Sequence, residues 1–394
     1  MYIEHINQPN KLAASEKIRP LIKWTGGKFD EFDEFAPFIP EFKNYYEPFF
    51  GGGGVFFALQ PEGLSYINDK SADLIAFYRQ IRSADFKKEM MSYVEAWDEA
   101  SSLSKALIKS IEHIFYEYLL GQKSLLELTD RVELFLRAKP NVKYPTLFAE
   151  STVLRPTDFK QALIDSVKDK ARRIKRISEK ENRVFELREL ADHIETGVKS
   201  GFYLFLRKLM NENAIGTKIL SESKAAAVWY FVREFCYASM FRFNSKGEFN
   251  IPYGGIAYNK KNFRQKVDNV FATKAKKLFQ HTTIFNHDFA DFFKKAKPQK
   301  GDFVFLDPPY DSEFSEYDQN AFTAKDQERL RDAILKLKAK CMVVIKETPL
   351  ILNLYAEKPF HILTFDKTYT YNVRGRNNRD TRHLIILNYT PTIL

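Results

Sequence analysis

Four apolar residues, Phe303, Val304, Phe305 and Leu306, run straight into Asp307, Pro308, Pro309 and Tyr310, and this ending constrains the chain more than any other stretch. Proline has no N–H to give to a ladder and fixes its own φ, so a buried strand stops at Asp307. In an open α/β sheet the residues just past the carboxyl ends of the strands line the ligand crevice. A strand ending in this way gathers a carboxylate, rigid backbone carbonyls and an aromatic face in one place. Asp307 can accept a hydrogen bond from an exocyclic amine, the carbonyl of Pro308 can accept a second, and Tyr310 can stack on a ring. Asp307, Pro308, Pro309 and Tyr310 are therefore candidate catalytic residues around a flat, amine-bearing ring, and adenine has that shape. The same residues also fit a plain proline turn in which Asp307 caps the next helix and Tyr310 only packs.

The first part of the chain supplies a second half to such a site. Lys23-Trp24-Thr25-Gly26-Gly27-Lys28 leaves a short apolar stretch for a loop. Tyr45-Tyr46-Glu47-Pro48-Phe49-Phe50 then leads through Gly51-Gly52-Gly53-Gly54 into Val55-Phe56-Phe57-Ala58-Leu59, which reads as strand, glycine turn and helix. Glycine tolerates positive φ and lets a ligand approach the backbone. A dinucleotide fingerprint fails, because Phe56 or Phe57 falls where its third glycine belongs. Leu64 to Asp69 reads as a second strand ending in an acid 18 residues after Gly51, a spacing that lets a carboxylate take ribose hydroxyls. Asp69 also suits a helix cap.

From about residue 85 to 239 the pattern turns helical and charged, without a clear strand. The stretch 168–183 holds Lys168, Lys170, Arg172, Arg173, Lys175, Arg176, Lys180 and Arg183 against Asp169, Glu179 and Glu181. A solvated helix face accounts for it, and so does contact with phosphates. The net charge of +10 favours a polyanionic partner. Arg242 to Gly254 alternates polar and apolar residues between turn glycines, as a hairpin-like loop does. The α/β pattern then resumes, with strands at Thr282–Phe285 ending in Asn286-His287-Asp288-Phe289, at Cys341–Lys346, at His361–Phe365 and at His383–Asn388. A polar arm, Tyr371 to Arg379, lies between the last two. Two cysteines and seven histidines show no metal-ligand spacing. No apolar run approaches the roughly 18 residues of a membrane span, so no metal or membrane is expected and the chain reads as cytoplasmic.

In order, these stretches resemble a DNA adenine-N6 methyltransferase of the Dam type (D12 class, alpha group). The resemblance covers roughly residues 18–85 and 200–390, and five modest motifs carry it: Lys23 to Lys28, Glu47 to Gly54, Asn68-Asp69, Arg242 to Gly254, and Asp307 to Tyr310. It implies a Rossmann-like fold dependent on S-adenosylmethionine, with a mixed seven-stranded sheet interrupted by a mostly helical target-recognition domain. The catalytic domain is expected over 15–85 and 260–394, and the helical insertion over 86–259. By the same resemblance Trp24, Lys28, Pro48, Phe49, Gly51, Gly53, Asp69, Asp288, Phe289 and Asp307 hold the methyl donor. Tyr237, Arg242, Asn244, Lys246, Pro252, Arg374 and Arg376 touch DNA, with Arg242 on a guanine of a G-A-T-C-like site.

The implied reaction transfers a methyl group from S-adenosylmethionine to N6 of an adenine flipped out of double-stranded DNA. A bacterial or phage setting and a cognate restriction endonuclease as partner go with it. An RNA adenine methyltransferase and a non-catalytic DNA-binding subunit are the alternatives. Asp307 and the Arg242 loop argue against the first, the retained glycines and acid against the second. The helical stretch from about Glu95 to Thr196 has no counterpart in the Dam pattern.

Overall fold

The computed structural model describes residues 3–5, 17–138, 140–310, 322–368 and 380–391. The chain forms two compact units, Met1–Arg79 with Thr273–Leu394, and Gln80–Ala272.

Among the described residues the first unit holds one eight-stranded sheet. Its strands are β1 (Ile3–His5), β2 (Tyr45–Glu47), β3 (Ser65–Asn68), β4 (Thr282–Phe285), β5 (Phe303–Leu306), β6 (Lys340–Lys346), β7 (His361–Thr368) and β8 (Asp380–Leu387). They are ordered β1-β7-β8-β6-β5-β2-β3-β4. β4, β3, β2, β5 and β6 run parallel, and β8 is antiparallel to both β6 and β7. The seven-stranded mixed sheet is therefore present, extended by β1, which pairs with Ile362 to Thr364. The polar amino-terminal residues give no sign of this strand, because an edge strand of three residues is held by backbone pairing and needs no side-chain period.

β5 is buried at all four positions, as expected of a parallel strand covered on both faces. Phe35 stacks on Phe305 with ring centroids 5.5 Å apart. On the other face Val304 and Leu306 join Tyr46, Val343, Ile345 and Ile386 in the core. Along the sheet β3 and β4 lie on one side of β2, and β5 and β6 on the other. The strand order reverses between β2 and β5, so the crevice opens past their carboxyl ends.

The second unit is helical. Its longest helix, Ala84–Leu119, starts at Ser83, whose side chain accepts from the Phe86 N–H at 3.2 Å. The helix buries Phe86, Met90, Tyr93, Trp97, Ala100, Leu103 and Leu107 at intervals of three or four residues, the stripe of a core-facing helix. Pro156–Glu181 begins with proline, where a missing N–H is harmless. Leu187–Ala214 packs closely on it because Gly197 and Gly201 present no side chain. A Cβ at Gly201 would lie 2.9 Å from the Ala162 carbonyl oxygen. The unit runs past the expected limits of 86 and 259, since Phe263 packs on Phe231 and Phe235, and Phe271 on Phe86. Those rings belong to the helical core.

Candidate active site and base-reading loop

At the switch point the end of β2 becomes the glycine turn. Gly51 has φ +48° and Gly53 φ +68°, conformations that suit glycine. A Cβ on Gly51 would lie 2.9 Å from Cδ1 of Trp24, so Trp24 rests against the turn itself. The Gly51 N–H donates to Oδ2 of Asp69 at 2.8 Å, and Ser71 N–H donates to Oδ1 at 2.8 Å. Asp69 thus caps the turn before helix Ala72–Gln80 and accepts from the glycine backbone. Burial raises its carboxyl above the ordinary value, against the pull of those N–H groups.

Asn68 stands in the sequence only as the neighbour of Asp69, yet it locks three strand ends together. Its amide donates to the carbonyls of Pro48 (2.9 Å) and His287 (3.0 Å), and its oxygen accepts from the His287 N–H (2.9 Å). Asp288, next along, caps helix Phe289–Ala296 through the Ala290 N–H at 2.9 Å and binds Arg329 at 2.8 Å. Phe289 packs on Phe49.

On the other side of β2 stands Asp307. The Lys28 ammonium, 1% exposed, donates to Asp307 Oδ1 at 2.7 Å, to the Tyr310 hydroxyl at 2.9 Å and to the Gly26 carbonyl at 3.1 Å. Lys28, expected among the donor-holding residues, is therefore bound to the Asp307–Tyr310 turn. Three acceptors match the three N–H bonds of an ammonium. Burial opposes its charge, but Asp307, Tyr310 and Glu31 outweigh burial and hold Lys28 well above its ordinary value. Burial pushes Asp307 upward, with Lys28 pulling the other way. The Pro309 carbonyl accepts from buried Gln327 at 3.0 Å, which fixes the turn.

Between the two acids lies Glu47, buried and accepting from the Tyr45 hydroxyl at 2.8 Å. Burial, reinforced by Asp307 and Asp69, raises its carboxyl far above the carboxylate range.

In the helical unit, Arg242 to Gly254 forms the hairpin-like loop expected, closed by bridges Phe243↔Phe249 and Cys236↔Tyr253. Tyr237, Arg242, Lys246 and Pro252 are exposed, and so are Phe241 and Phe243. Arg242 Nε donates to Asn250 Oδ1 at 3.1 Å. Asn244, expected at DNA, spends its side chain on the turn. Its oxygen accepts from the N–H groups of Lys246 and Glu248 at 3.0 Å each, and its amide donates to Glu248 at 2.9 Å. One face of helix Leu187–Ala214 holds the loop backbone. Tyr203 and Arg207 each donate to the Ile251 carbonyl at 2.8 Å, and Asn211 exchanges two hydrogen bonds with Phe249. The i, i+4, i+8 spacing of these three is visible in the sequence, though not what it faces. Arg374 and Arg376 lie outside the described residues. Among the described residues no group of His, Cys, Asp and Glu is placed to hold a metal, and no helix is long and apolar enough to cross a membrane.

The sheet order and the carboxylate turn at its switch point define a methyltransferase fold of the class that uses S-adenosylmethionine. The family model for D12 class N6 adenine-specific DNA methyltransferases matches residues 24–184 and 157–371, and the chain belongs to that family. It is 25% identical to the type II methyltransferase M1.LlaDCHI of Lactococcus lactis subsp. cremoris, over 97% of this chain and 98% of that protein. It is 29% identical to the type II methyltransferase M.CviBI of Paramecium bursaria Chlorella virus NC1A, over 52% of this chain and 78% of that protein. It is 26% identical to the DNA adenine methylase of Serratia marcescens, over 39% of this chain and 57% of that protein. The reaction is site-specific methylation of adenine N6 in DNA, which removes the RNA and non-catalytic alternatives. The Lactococcus alignment takes in the helical stretch that the Dam pattern lacks.

Proposed function

We propose that the chain takes the methyl group from S-adenosylmethionine and places it on an adenine turned out of duplex DNA into the Asp307–Tyr310 turn. One observation carries this reading. An amine acceptor past β5 and a ribose-type acceptor past β3 flank a single glycine turn past β2. The positive φ at Gly51, the bare backbone against Trp24 and the facing Asp69 carboxylate fit a nucleoside. Trp24, Pro48, Phe49, Gly51, Gly53 and Asp69 would hold the donor, with Asp288 and Phe289 fixing the adjoining helix start. When bound, the sulfonium supplies an already activated methyl group.

The protein's own part is alignment and electrostatics. Asp307 accepts a hydrogen bond from the N6 amine, as does the Pro308 carbonyl, which favours a tetrahedral nitrogen and stabilises the positive charge growing on it. Lys28 fixes Asp307 and Tyr310 in one arrangement, and Tyr310 stacking offsets part of the few kcal/mol spent on extruding the base. Arg242, Lys246, Tyr237 and Pro252 meet the DNA, Asn244 shapes the loop that carries them, and Arg374 and Arg376 belong to the same DNA-binding set. A G-A-T-C-like site is the reading for Arg242. A cognate endonuclease as partner and a bacterial or phage cytoplasm go with this reading.

Asp307→Ala tests the assignment. Methyl transfer to duplex should fall at least ~100-fold while donor binding persists. Because Asp307→Ala strands the buried Lys28 charge, the variant is made also with Lys28→Met, which restores neutrality. Near-normal turnover in either would refute the assignment.

A further inference from the structure

Behind Lys28 lies a second buried charged group that the reaction as described leaves unused. Glu31, three residues on in the same loop, has Oε1 against the ammonium of Lys367 on β7 and Oε2 3.2 Å from Nδ1 of His383 on β8. Glu31 is 8% exposed and His383 is 0% exposed. The His383 ring meets the edges of Tyr310 and Phe365, with centroids 6.0 and 5.5 Å away. A buried carboxylate, a buried imidazole and a second lysine therefore stand behind Lys28, the residue that holds the proposed amine acceptor. Taking ions out of water costs several kcal/mol each after relaxation, so such a group needs internal balance.

Counting charges explains the arrangement. Lys28 and Lys367 are cations, and Asp307 and Glu31 are anions. Burial would raise Glu31, but His383, Lys28 and Lys367 outweigh it and keep the carboxyl ionised, while burial keeps His383 neutral despite Glu31. Among the described residues, then, two cations stand beside two anions. Without Glu31 the field of the two ammonium groups would be less offset, and it would oppose the positive charge that grows on the attacking nitrogen.

We propose that Glu31, held 3.2 Å from His383 Nδ1 and against the Lys367 ammonium, is a positioning residue for adenine methylation. It offsets the surplus positive charge, so that Lys28 can hold Asp307 and Tyr310 without blunting the negative field of Asp307. This rests on the role proposed for Asp307, and the test separates the two.

Single-turnover methyl transfer is measured at saturating donor and duplex for Glu31→Gln, His383→Leu and His383→Asn, with donor and DNA affinities and melting curves alongside. Glu31→Gln and His383→Leu should each slow transfer roughly ten-fold or more with both affinities little changed. His383→Asn keeps an N–H near the Nδ1 position and should lose much less than His383→Leu. In a Lys28→Met background Lys367 is left facing Asp307 and Glu31, so Glu31→Gln creates no surplus cation and should slow transfer less than it does in the wild type. A merely structural Glu31 would slow both backgrounds alike, which would overturn the proposal. So would wild-type rates in both Glu31→Gln and His383→Leu. Failure of Asp307→Ala to impair transfer would overturn the parent reading instead.

Discussion

A single ammonium group organises the reaction centre. Lys28 Nζ meets three oxygens within 3.1 Å, and two of them belong to Asp307 and Tyr310, the residues proposed to hold the target ring. Asp69 plays the matching part on the donor side, with both oxygens on backbone N–H groups. A carboxylate has about four lone-pair positions, so it retains acceptor capacity for ribose hydroxyls. Asp69→Ala should weaken donor binding by about 1.5–3 kcal/mol, the worth of hydrogen bonds to a charged group. Calorimetry with unchanged donor affinity would reduce Asp69 to its capping role. Asp307, Tyr310, Gly51 and Asp69 are legible in the sequence because strand ends and glycine turns are local signals. Glu31 with His383 is not, the two being 352 positions apart by subtraction of their numbers, since only the pairing of β7 with β8 and the packing of the Lys28 loop bring them together.

At the scale of elements, the loop proposed to read bases is held by a helix. The Asn211 side-chain amide donates to the Phe249 carbonyl and accepts from the Phe249 N–H, and Arg207 and Tyr203 donate to the Ile251 carbonyl. Arg242 is exposed and can reach O6 and N7 of a guanine together, the commonest specific contact. Arg242→Ala should cost about 1–3 kcal/mol on the cognate site and relax preference at one base pair. Asn211→Ala should blunt preference across the loop's whole footprint instead. Methylation profiles on a randomised duplex library distinguish them, and an equal drop on every sequence for Arg242→Ala would show that it only grips the backbone. The loop is readable from its glycines and alternation. Its helical support is not, because the sequence of Leu187–Ala214 shows a core stripe without saying which polar positions face another segment.

For the whole molecule, charge sets the partner. The helix Pro156–Glu181 buries Ile164, Val167, Ala171 and Ile174 and leaves Arg172, Arg173, Arg176 and Lys180 exposed. Lys175 is not available in the same way, since its ammonium donates to the Tyr118 carbonyl at 2.9 Å. Arg172 is paired with Asp169 at 2.9 Å. Arg173, Arg176 and Lys180 are the cations suited to phosphates. Neutralising all three should weaken every duplex alike and flatten the salt dependence by roughly 0.9 log units for each phosphate that is no longer neutralised. An unchanged slope would mark a solvated face.

Whether Asp307 receives the amine of an adenine is tested most directly by following the methyl group. A duplex is incubated with the enzyme and S-adenosylmethionine carrying a deuterated methyl group, then digested to nucleosides and read by mass spectrometry. Label is expected on N6 of adenine alone, at a fixed sequence, and absent with Asp307→Ala. Label on cytosine, or N6 label that survives Asp307→Ala at the wild-type rate, would contradict that role for Asp307.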